Sequence, residues 1–214
     1  MATPHFQDDN VIIHKMECGP YGNNIYLVVC PETNESILID TPAEPDKMIE
    51  LAKTTDVKAI IITHNHMDHL LGFEDVTAAI DAPVGIGTDD ADALSRPADL
   101  LLNDGDVISA GNVNLTAVFT PGHTPGSTCY HTEGHLFSGD TLFPGGPGKS
   151  GSPEKLQQLI GSITSKLFAL GDDTNVFPGH GDDGHLAASK EEYADFASRE
   201  HPDDLYGDVL WKES

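Results

Sequence analysis

The chain has 214 residues, a length typical of one α/β domain, and carries 35 Asp and Glu against 11 Lys and Arg, for a formal charge of −24. This charge excludes binding to nucleic acids and to anionic membranes, because both need Lys and Arg to meet phosphates. The acids are spread between apolar runs such as Ala59-Ile60-Ile61-Ile62. We therefore predict one folded domain over residues 1–214 with a strongly acidic, solvated surface.

The compartment is predicted from three features of the sequence. The first residues have no basic start and no apolar stretch of a secretory signal, and no run approaches the ~20 apolar residues of a membrane helix. The three cysteines are few and widely spaced, which is typical of buried thiols and not of a disulfide framework. They are Cys18, Cys30 and Cys129. We expect a cytoplasmic protein.

The first half of the chain alternates strands with helices. A continuous β-branched run at 57–63 indicates a strand buried on both faces. Gly, Pro and Asn clusters mark the turns between its neighbours. In chain order, the prediction is strands at 11–18, 24–30 and 35–40, a helix at 45–55, strands at 57–63 and 82–87 on either side of a helix at 73–81, and a short helix at 89–94.

The second half begins with strands and tight turns over 106–139 and then becomes helical. Ser152 as cap, Pro153 at the first position and Gly171 at the end predict a helix over 153–170. A strand at 175–178 and a helix at 189–200, begun by a serine, complete the pattern. The order predicts an α/β (α+β) fold of four αββα layers, in which two sheets pack together with helices outside.

The densest group of histidines lies directly after the strand at 57–63. His64, His66, Asp68 and His69 fall within six residues, and such side chains are rarely buried without partners. Alternation along an extended segment places His64 and His66 on one face, whereas Asp68 and His69 turn away toward a second centre. The cluster therefore predicts a metal-binding loop at the end of a buried strand.

Three later loops each add one ligand-type side chain after an apolar strand. They carry His123, Asp140 and His180, each beside glycines that allow sharp bends and close approach. Nitrogen and oxygen ligands from four loops predict a shared site for Zn, Mn or Fe. Seven candidates exceed the ~3 protein ligands of one hydrolytic metal, so we predict two metals that share a carboxylate.

These residues form a series along the chain. It runs His64-x-His66-x-Asp68-His69 and continues with His123, Asp140 and His180. The series resembles that of the metallo-β-lactamase-fold hydrolases, and most closely the glyoxalase II (hydroxyacylglutathione hydrolase) branch. The resemblance covers the chain from the first strands to His180. It implies an αββα sandwich with the site between the sheets, and a metal-dependent hydrolase that cleaves a thioester or related acyl bond with a bridging hydroxide.

The resemblance also implies a role for each residue. Asp140 would bridge two divalent ions, zinc first, with iron or manganese as alternatives. Asp68 would also orient the hydroxide or receive a proton, which makes Asp68 and Asp140 the catalytic residues. One metal would be held by His64, His66, His123 and Asp140, and the other by Asp68, His69, His180 and Asp140.

Other functions of this fold stay open. Persulfide dioxygenases use a single iron at the positions of His64, His123 and Asp140, so a mononuclear-iron oxidoreductase is the second hypothesis. Lactonase, phosphodiesterase and β-lactamase activities are further ones. A metal-binding module without catalysis is the third class, but seven ligands exceed the four of a closed structural zinc site. Metal analysis and oxygen consumption discriminate among these hypotheses.

The substrate is predicted only as a small molecule. Lys149 stands at the spacing from Asp140 at which glyoxalase II places a basic residue for the glutathione carboxylate, so it is a candidate substrate-binding residue. Only 34 residues follow His180, whereas glyoxalase II has a longer helical C-terminal region that helps bind glutathione. We therefore expect a shorter or different acyl substrate.

Three residues near the end of the chain complete the predictions. His185, five residues after His180, is a weaker candidate for the pocket wall. Leu210 and Trp211 predict a contact that docks the tail on the last helix, or a contact between two copies in a homo-oligomer.

Overall fold

Two β-sheets form the centre of the structure, which is a computed structural model that describes residues 3–214. The first sheet has seven strands in sequential order. It is antiparallel up to the fourth strand and parallel from there on. Its strands are β1 (Phe6–Gln7), β2 (Ile12–Cys18), β3 (Asn23–Val29), β4 (Glu35–Ile39), β5 (Asp56–Ile62), β6 (Val84–Gly87) and β7 (Leu100–Leu102).

The second sheet has six strands in the order β15-β14-β11-β10-β9-β8. A separate two-stranded ribbon, β12 with β13, lies between β11 and β14 in the sequence. These strands are β8 (Val107–Ala110), β9 (Val113–Phe119), β10 (Thr128–Thr132), β11 (His135–Gly139), β12 (Leu142–Phe143), β13 (Gly146–Pro147), β14 (Asn175–Pro178) and β15 (Gly184–His185).

Four helices cover the outer faces of the two sheets. They are α1 (Asp46–Ala52), α2 (Phe73–Ala79), α3 (Pro153–Lys166) and α4 (Leu186–Ala197). Short 3₁₀ turns occupy Met67–His69, Thr88–Ala93 and Leu167–Ala169. Within residues 3–214, no helix has the length and apolar character needed to cross a membrane.

Three apolar clusters hold these layers together. Alternate residues of β5 point to opposite faces, so Ile61 packs between the sheets while Ile60 and Ile62 pack toward α1 and α2. Leu159 of α3 and Phe196 of α4 belong to the third cluster, on the outer face of the second sheet. Burial on both faces explains the uninterrupted apolar run in β5. The predicted αββα architecture is confirmed.

Most predicted elements occur within two or three residues of their expected bounds, and the differences have local causes. The last helix begins at Leu186, so Ser189 lies inside it and is not its cap. Ser152 does cap α3 and accepts from the Lys155 amide at 3.3 Å, but the α-helix ends at Lys166. The turn over 88–93 is 3₁₀ and not α-helical. The short strands β1, β7 and β15 were not predicted, because two or three residues carry no readable alternation.

All three cysteines are buried and free, as predicted. Cys18 lies in the cluster under α1, Cys30 between the sheets, and Cys129 under α3.

Candidate metal centre

The topology brings four loops to one edge of the sandwich. In the second sheet β9, β11 and β14 run in the same direction, because β10 is antiparallel to both β9 and β11 and β14 is parallel to β11. Their carboxyl ends lead into the loops of His123, Asp140 and His180. The amide of Thr128 donates to the carbonyl of Thr63 at 2.8 Å, which joins the end of β5 to the same edge.

The structure brings all seven predicted ligands together around Asp140. His64, His66 and His123, here called group one, have ligand atoms within 4.8 Å of one another. Asp68, His69 and His180, here called group two, meet the same limit. The Asp140 carboxylate lies between the groups: its oxygens are 3.7 Å from His123 Nε2, 3.4 Å from His69 Nε2 and 3.6 Å from His180 Nε2.

Hydrogen bonds orient the histidines so that their Nε2 atoms face the centre. His123 Nδ1–H donates to the carbonyl of Lys149 at 2.8 Å, and His180 Nδ1–H donates to the carbonyl of Tyr21 at 3.1 Å. A carbonyl only accepts, so each ring carries a proton on Nδ1, and in the neutral imidazole the Nε2 lone pair faces the centre. Such bonds on the far nitrogen are the usual way in which metal-binding imidazoles are held.

Three buried polar atoms at the centre lack a hydrogen-bond partner among the described residues. They are His64 Nε2, His123 Nε2 and Asp140 Oδ1. Leaving such atoms without partners costs about 1–3 kcal/mol each, so folded proteins rarely do so without a compensating group. A divalent cation accepts lone pairs from imidazole nitrogen and carboxylate oxygen alike. The residues present therefore fit a metal site.

The charges of the site follow from burial and from the central carboxylate. Burial lowers the pKa of His64 well below its usual range, with a further contribution from His69. Burial would lower the pKa of His69 too, but the carboxylates of Asp40 and Asp140 outweigh it and raise that pKa to about 10. Burial would raise the pKa of Asp140, but the His69 and His64 imidazoles hold it well below its usual range.

Asp40 is a buried carboxylate beneath group two that the sequence analysis did not single out. It accepts from His69 Nδ1 at 2.9 Å and from both the amide and the hydroxyl of Thr63 at 2.8 Å. Because the Thr63 hydroxyl gives its proton to Asp40, it accepts from His64 Nδ1 at 3.0 Å. Asp40 has φ +64°, an uncommon backbone conformation for a non-glycine residue and one often found at functional sites.

Asp90 is a second buried carboxylate that was not predicted, and it joins two ligand loops. It accepts from the amide of Asn65, between His64 and His66, at 3.0 Å. It also accepts from the Thr124 hydroxyl at 2.6 Å and the Gly126 amide at 2.8 Å, in the loop of His123. Asp90 therefore fixes the spacing of the two loops that supply group one.

Two glycines permit the close packing around Asp140. A Cβ at Gly179 would lie 2.3 Å from Asp140 Oδ1 and 2.7 Å from His69 Cε1. A Cβ at Gly148 would lie 1.8 Å from the Asp140 carbonyl oxygen. Any side chain at either position would displace a candidate ligand, which accounts for the glycines beside the ligand residues.

A cavity of about 290 Å³ opens on Asp140, His123 and His180. Lys149 lines it, but its side chain is 69% exposed and its ammonium lies 3.5 Å from a carboxylate oxygen of Asp208. Leu210 also lines this cavity. His185 does not: it is exposed on β15.

Trp211 fulfils the docking prediction for the tail. Its ring is fully buried against Phe168 and Tyr193 in the cluster beneath α3 and α4. Leu210 is 46% exposed and turns toward the cavity.

Comparison with known proteins identifies the family of this site. Residues 18–180, which include every candidate ligand, match the metallo-beta-lactamase superfamily. The chain belongs to this superfamily. This confirms the resemblance seen in the sequence, and the shared fold extends to the solved metallo-beta-lactamase-fold structures.

Three similar proteins illustrate the range of the superfamily. A hydroxyacylglutathione hydrolase from Polaromonas sp. (strain JS666) is 38% identical over 177 residues, which are 79% of this chain and 66% of the relative, just under two thirds of its length. The structure of ETHE1 from Myxococcus xanthus has a TM-score of 0.78 at 26% identity, over 88% of this chain and 86% of its own. TTHA1623 in a di-iron-bound form has a TM-score of 0.69 at 28% identity, over 82% and 96%.

Proposed function

We propose that this protein is a dinuclear metallo-hydrolase that cleaves a thioester or a related acyl bond. The observation that carries the proposal is the carboxylate of Asp140 between two groups of three ligand-type side chains. One metal alone would leave one group unused. The hydroxyacylglutathione hydrolase among the relatives supports the thioester as substrate, and the di-iron form of a structural neighbour supports a site for two metals.

The chain would hold one ion with group one and the other with group two, and Asp140 would contact both. Two divalent ions, zinc first and iron or manganese as alternatives, would polarise the carbonyl of the substrate and lower the pKa of a bound water. The Nδ1–H bonds to main-chain carbonyls hold the Nε2 atoms of His123 and His180 toward the centre. These contacts preorganise the site before substrate arrives.

Asp68 is the candidate proton acceptor. One of its carboxylate oxygens accepts from the Asn23 side-chain amide at 2.8 Å and lies 3.2 Å from His180 Nε2. The Asn23 amide holds the carboxylate at the edge of the centre, where a proton from the attacking water can be received. Cleavage of a thioester releases a thiolate, whose conjugate acid has a pKa of about 8.5, so departure needs no strong acid.

The test is thioester hydrolysis by protein loaded separately with zinc, manganese or iron and of known metal content. We expect thiol release with about two metals per chain, and loss of hydrolysis on the order of a thousandfold in His66→Ala. His185→Ala, which changes an exposed histidine outside the cavity, is the matched control. Unchanged turnover in His66→Ala, with circular dichroism showing an intact fold, would refute the mechanism.

The second candidate is a mononuclear-iron oxidoreductase of the persulfide dioxygenase type. Similarity in fold to ETHE1 favours it, and His64, His123 and Asp140 are the residues that such a reaction would use. Oxygen consumption with a persulfide, one iron per chain and no thiol release from thioesters would replace the hydrolase proposal by this one.

A further inference from the structure

The cavity beside the metal centre has a wall that belongs to the C-terminal tail. Val209 and Leu210 face Phe143, Pro144 and Pro147 of the β12–β13 ribbon, and all five line the cavity. Most of this lining is apolar. His123, His180 and Asp140 line the same cavity, so a substrate bound at the proposed metals would extend along the ribbon and the tail.

The tail is anchored on both sides of this wall. On one side, the Ser150 amide donates to the Gly207 carbonyl and the Gly207 amide donates to Ser150 Oγ, both at 3.0 Å. On the other side, the Trp211 amide donates to the Gly145 carbonyl at 2.8 Å, and its ring is fully buried. Segment 207–211 is therefore a fixed part of the pocket.

Apolar side chains also stand exposed around the centre. Leu210 is 46% exposed, Met67, between His66 and Asp68, is 65% exposed, and Tyr21, whose carbonyl accepts from His180, is 57% exposed. Large apolar side chains left in water beside a reactive centre are typical of ligand sites, because covering them is favourable. They favour a substrate with an apolar portion.

The charges that line the pocket favour an uncharged substrate. Lys149 is the one Lys or Arg of the cavity lining, and Asp208, which also lines it, places a carboxylate oxygen 3.5 Å from the Lys149 ammonium. An anionic substrate group that paired with Lys149 on the side away from Asp208 would lie roughly 7 Å from the Asp208 carboxylate, about twice the length of an ion pair. The chain carries a formal charge of −24, so the surrounding field adds to this repulsion.

Resting on the proposed function, we infer that the pocket selects thioesters whose acyl chain and thiol arm are apolar and uncharged. Leu210 contacts the acyl chain and favours longer apolar groups. Asp208 offsets the charge of Lys149 and disfavours arms that carry a carboxylate. Leu210 and Asp208 are thus specificity-determining residues, and the pocket is poorly suited to a glutathione arm with its two carboxylates.

A pair of substrates that differ in charge tests this inference. Zinc-loaded protein is assayed with S-butyryl-N-acetylcysteamine, which is neutral, and with S-butyryl-3-mercaptopropionate, which carries a carboxylate. We expect kcat/KM to favour the neutral thioester at least tenfold. Asp208→Asn should shift this ratio toward the anionic substrate by about three- to sevenfold, as for two charges roughly 7 Å apart at an effective dielectric of about 40–80. Added salt should shrink the preference of the wild-type protein.

A chain-length series tests Leu210. In Leu210→Ala the advantage of hexanoyl over acetyl thioesters should fall about threefold to tenfold, mainly through KM, because one apolar contact is lost. Leu101→Ala, at an exposed leucine of β7 outside this cavity, is the matched control and should keep the wild-type ratios. Leu210 and Asp208 are both exposed on the cavity wall, so Leu210→Ala and Asp208→Asn should fold and keep their metal.

The outcomes separate this inference from the proposed function. Hydrolysis of no thioester by the zinc-loaded protein would overturn both. Hydrolysis of the anionic thioester as fast as the neutral one, or an unchanged ratio in Asp208→Asn, would overturn the inference and leave the hydrolase intact.

Discussion

Groups one and two lie on either side of the same aspartate, yet their polar atoms are satisfied differently. In group one the buried Nε2 atoms of His64 and His123 have no hydrogen-bond partner among the described residues. In group two the polar atoms have partners: the Asn23 amide donates to Asp68 Oδ2 at 2.8 Å and lies 3.3 Å from His180 Nε2, and His69 Nε2 lies 3.3 Å from the same nitrogen. A cation entering group one gains ligands without breaking contacts, whereas one entering group two must replace them. We therefore expect tighter binding at group one.

The supporting residues differ in the same way. Asp40 supports group two through a direct hydrogen bond to the His69 ring. Asp90 supports group one through main-chain amides and a hydroxyl, without touching a ligand ring. A direct bond to a ligand controls its orientation and basicity, whereas a main-chain contact controls loop spacing only. A substitution at Asp140 should therefore affect both groups. A substitution at Asp40 should affect mainly group two, and one at Asp90 mainly group one.

The largest effect is expected for Asp140→Ala, because this carboxylate contacts both groups. Activity should fall on the order of a thousandfold and both metals should bind more weakly. Zinc titration against a chromophoric chelator, beside thioester assays, measures this. Asp81→Ala, at an exposed acid, is the control. Loss of one metal with the other held at wild-type affinity would show that Asp140 is not shared.

A smaller effect is expected for Asp40→Asn. An amide cannot accept from His69, from the Thr63 amide and from the Thr63 hydroxyl as a carboxylate does, so zinc affinity at group two should fall about a hundredfold. The same zinc titration should show one weakened site and one near its wild-type affinity.

The control for Asp40→Asn is Asp104→Asn, since Asp104 accepts from the Phe119 amide at 2.8 Å outside the ligand clusters. Equal weakening of both metals in Asp40→Asn would contradict the difference between the groups.

The smallest effect is expected for Asp90→Asn. The new amide nitrogen would face a donor from the loop of Asn65 or of Thr124, so the loops should separate slightly and zinc affinity at group one should fall about tenfold. Group two should keep its affinity. Asp99→Asn tests for a general effect of weakening an acceptor of a main-chain amide, because Asp99 accepts from the Val84 amide at 2.8 Å. If Asp90→Asn lowered the zinc affinity mainly at group two and Asp40→Asn lowered it mainly at group one, the proposed difference between the groups would be wrong.

Local pattern was sufficient to predict the main layers and the residues that gather at the candidate metal centre. The run at Ala59–Ile62 indicates a strand buried on both faces, and Ser152 with Pro153 indicates the start of α3. The prediction that the last helix begins at Ser189 was wrong, because a serine one turn inside a helix cannot be told from a cap by its local sequence. The three residues of β7 were missed because their pairing with β6 depends on position in the sheet and not on alternation.

Asp40, Asp90 and Asp208 could not be found in this way. Each is one acid among 35 Asp and Glu, with no motif around it. Asp90 matters because it meets Gly126, 36 residues away, and Asp208 because it meets Lys149 across the cavity. Such contacts form only when segments that are distant in the sequence pack against each other.

The sequence by itself determined which residue types follow the strands and therefore the class of chemistry, since ligand chemistry resides in side chains and strand ends are marked locally. Tertiary structure alone decided which buried carboxylates support the candidate ligands, and that Leu210 and Asp208 form the pocket wall. The reason is physical: strand periodicity acts between near neighbours, whereas burial, hydrogen bonding across loops and the charge of a cavity arise only when distant segments pack together.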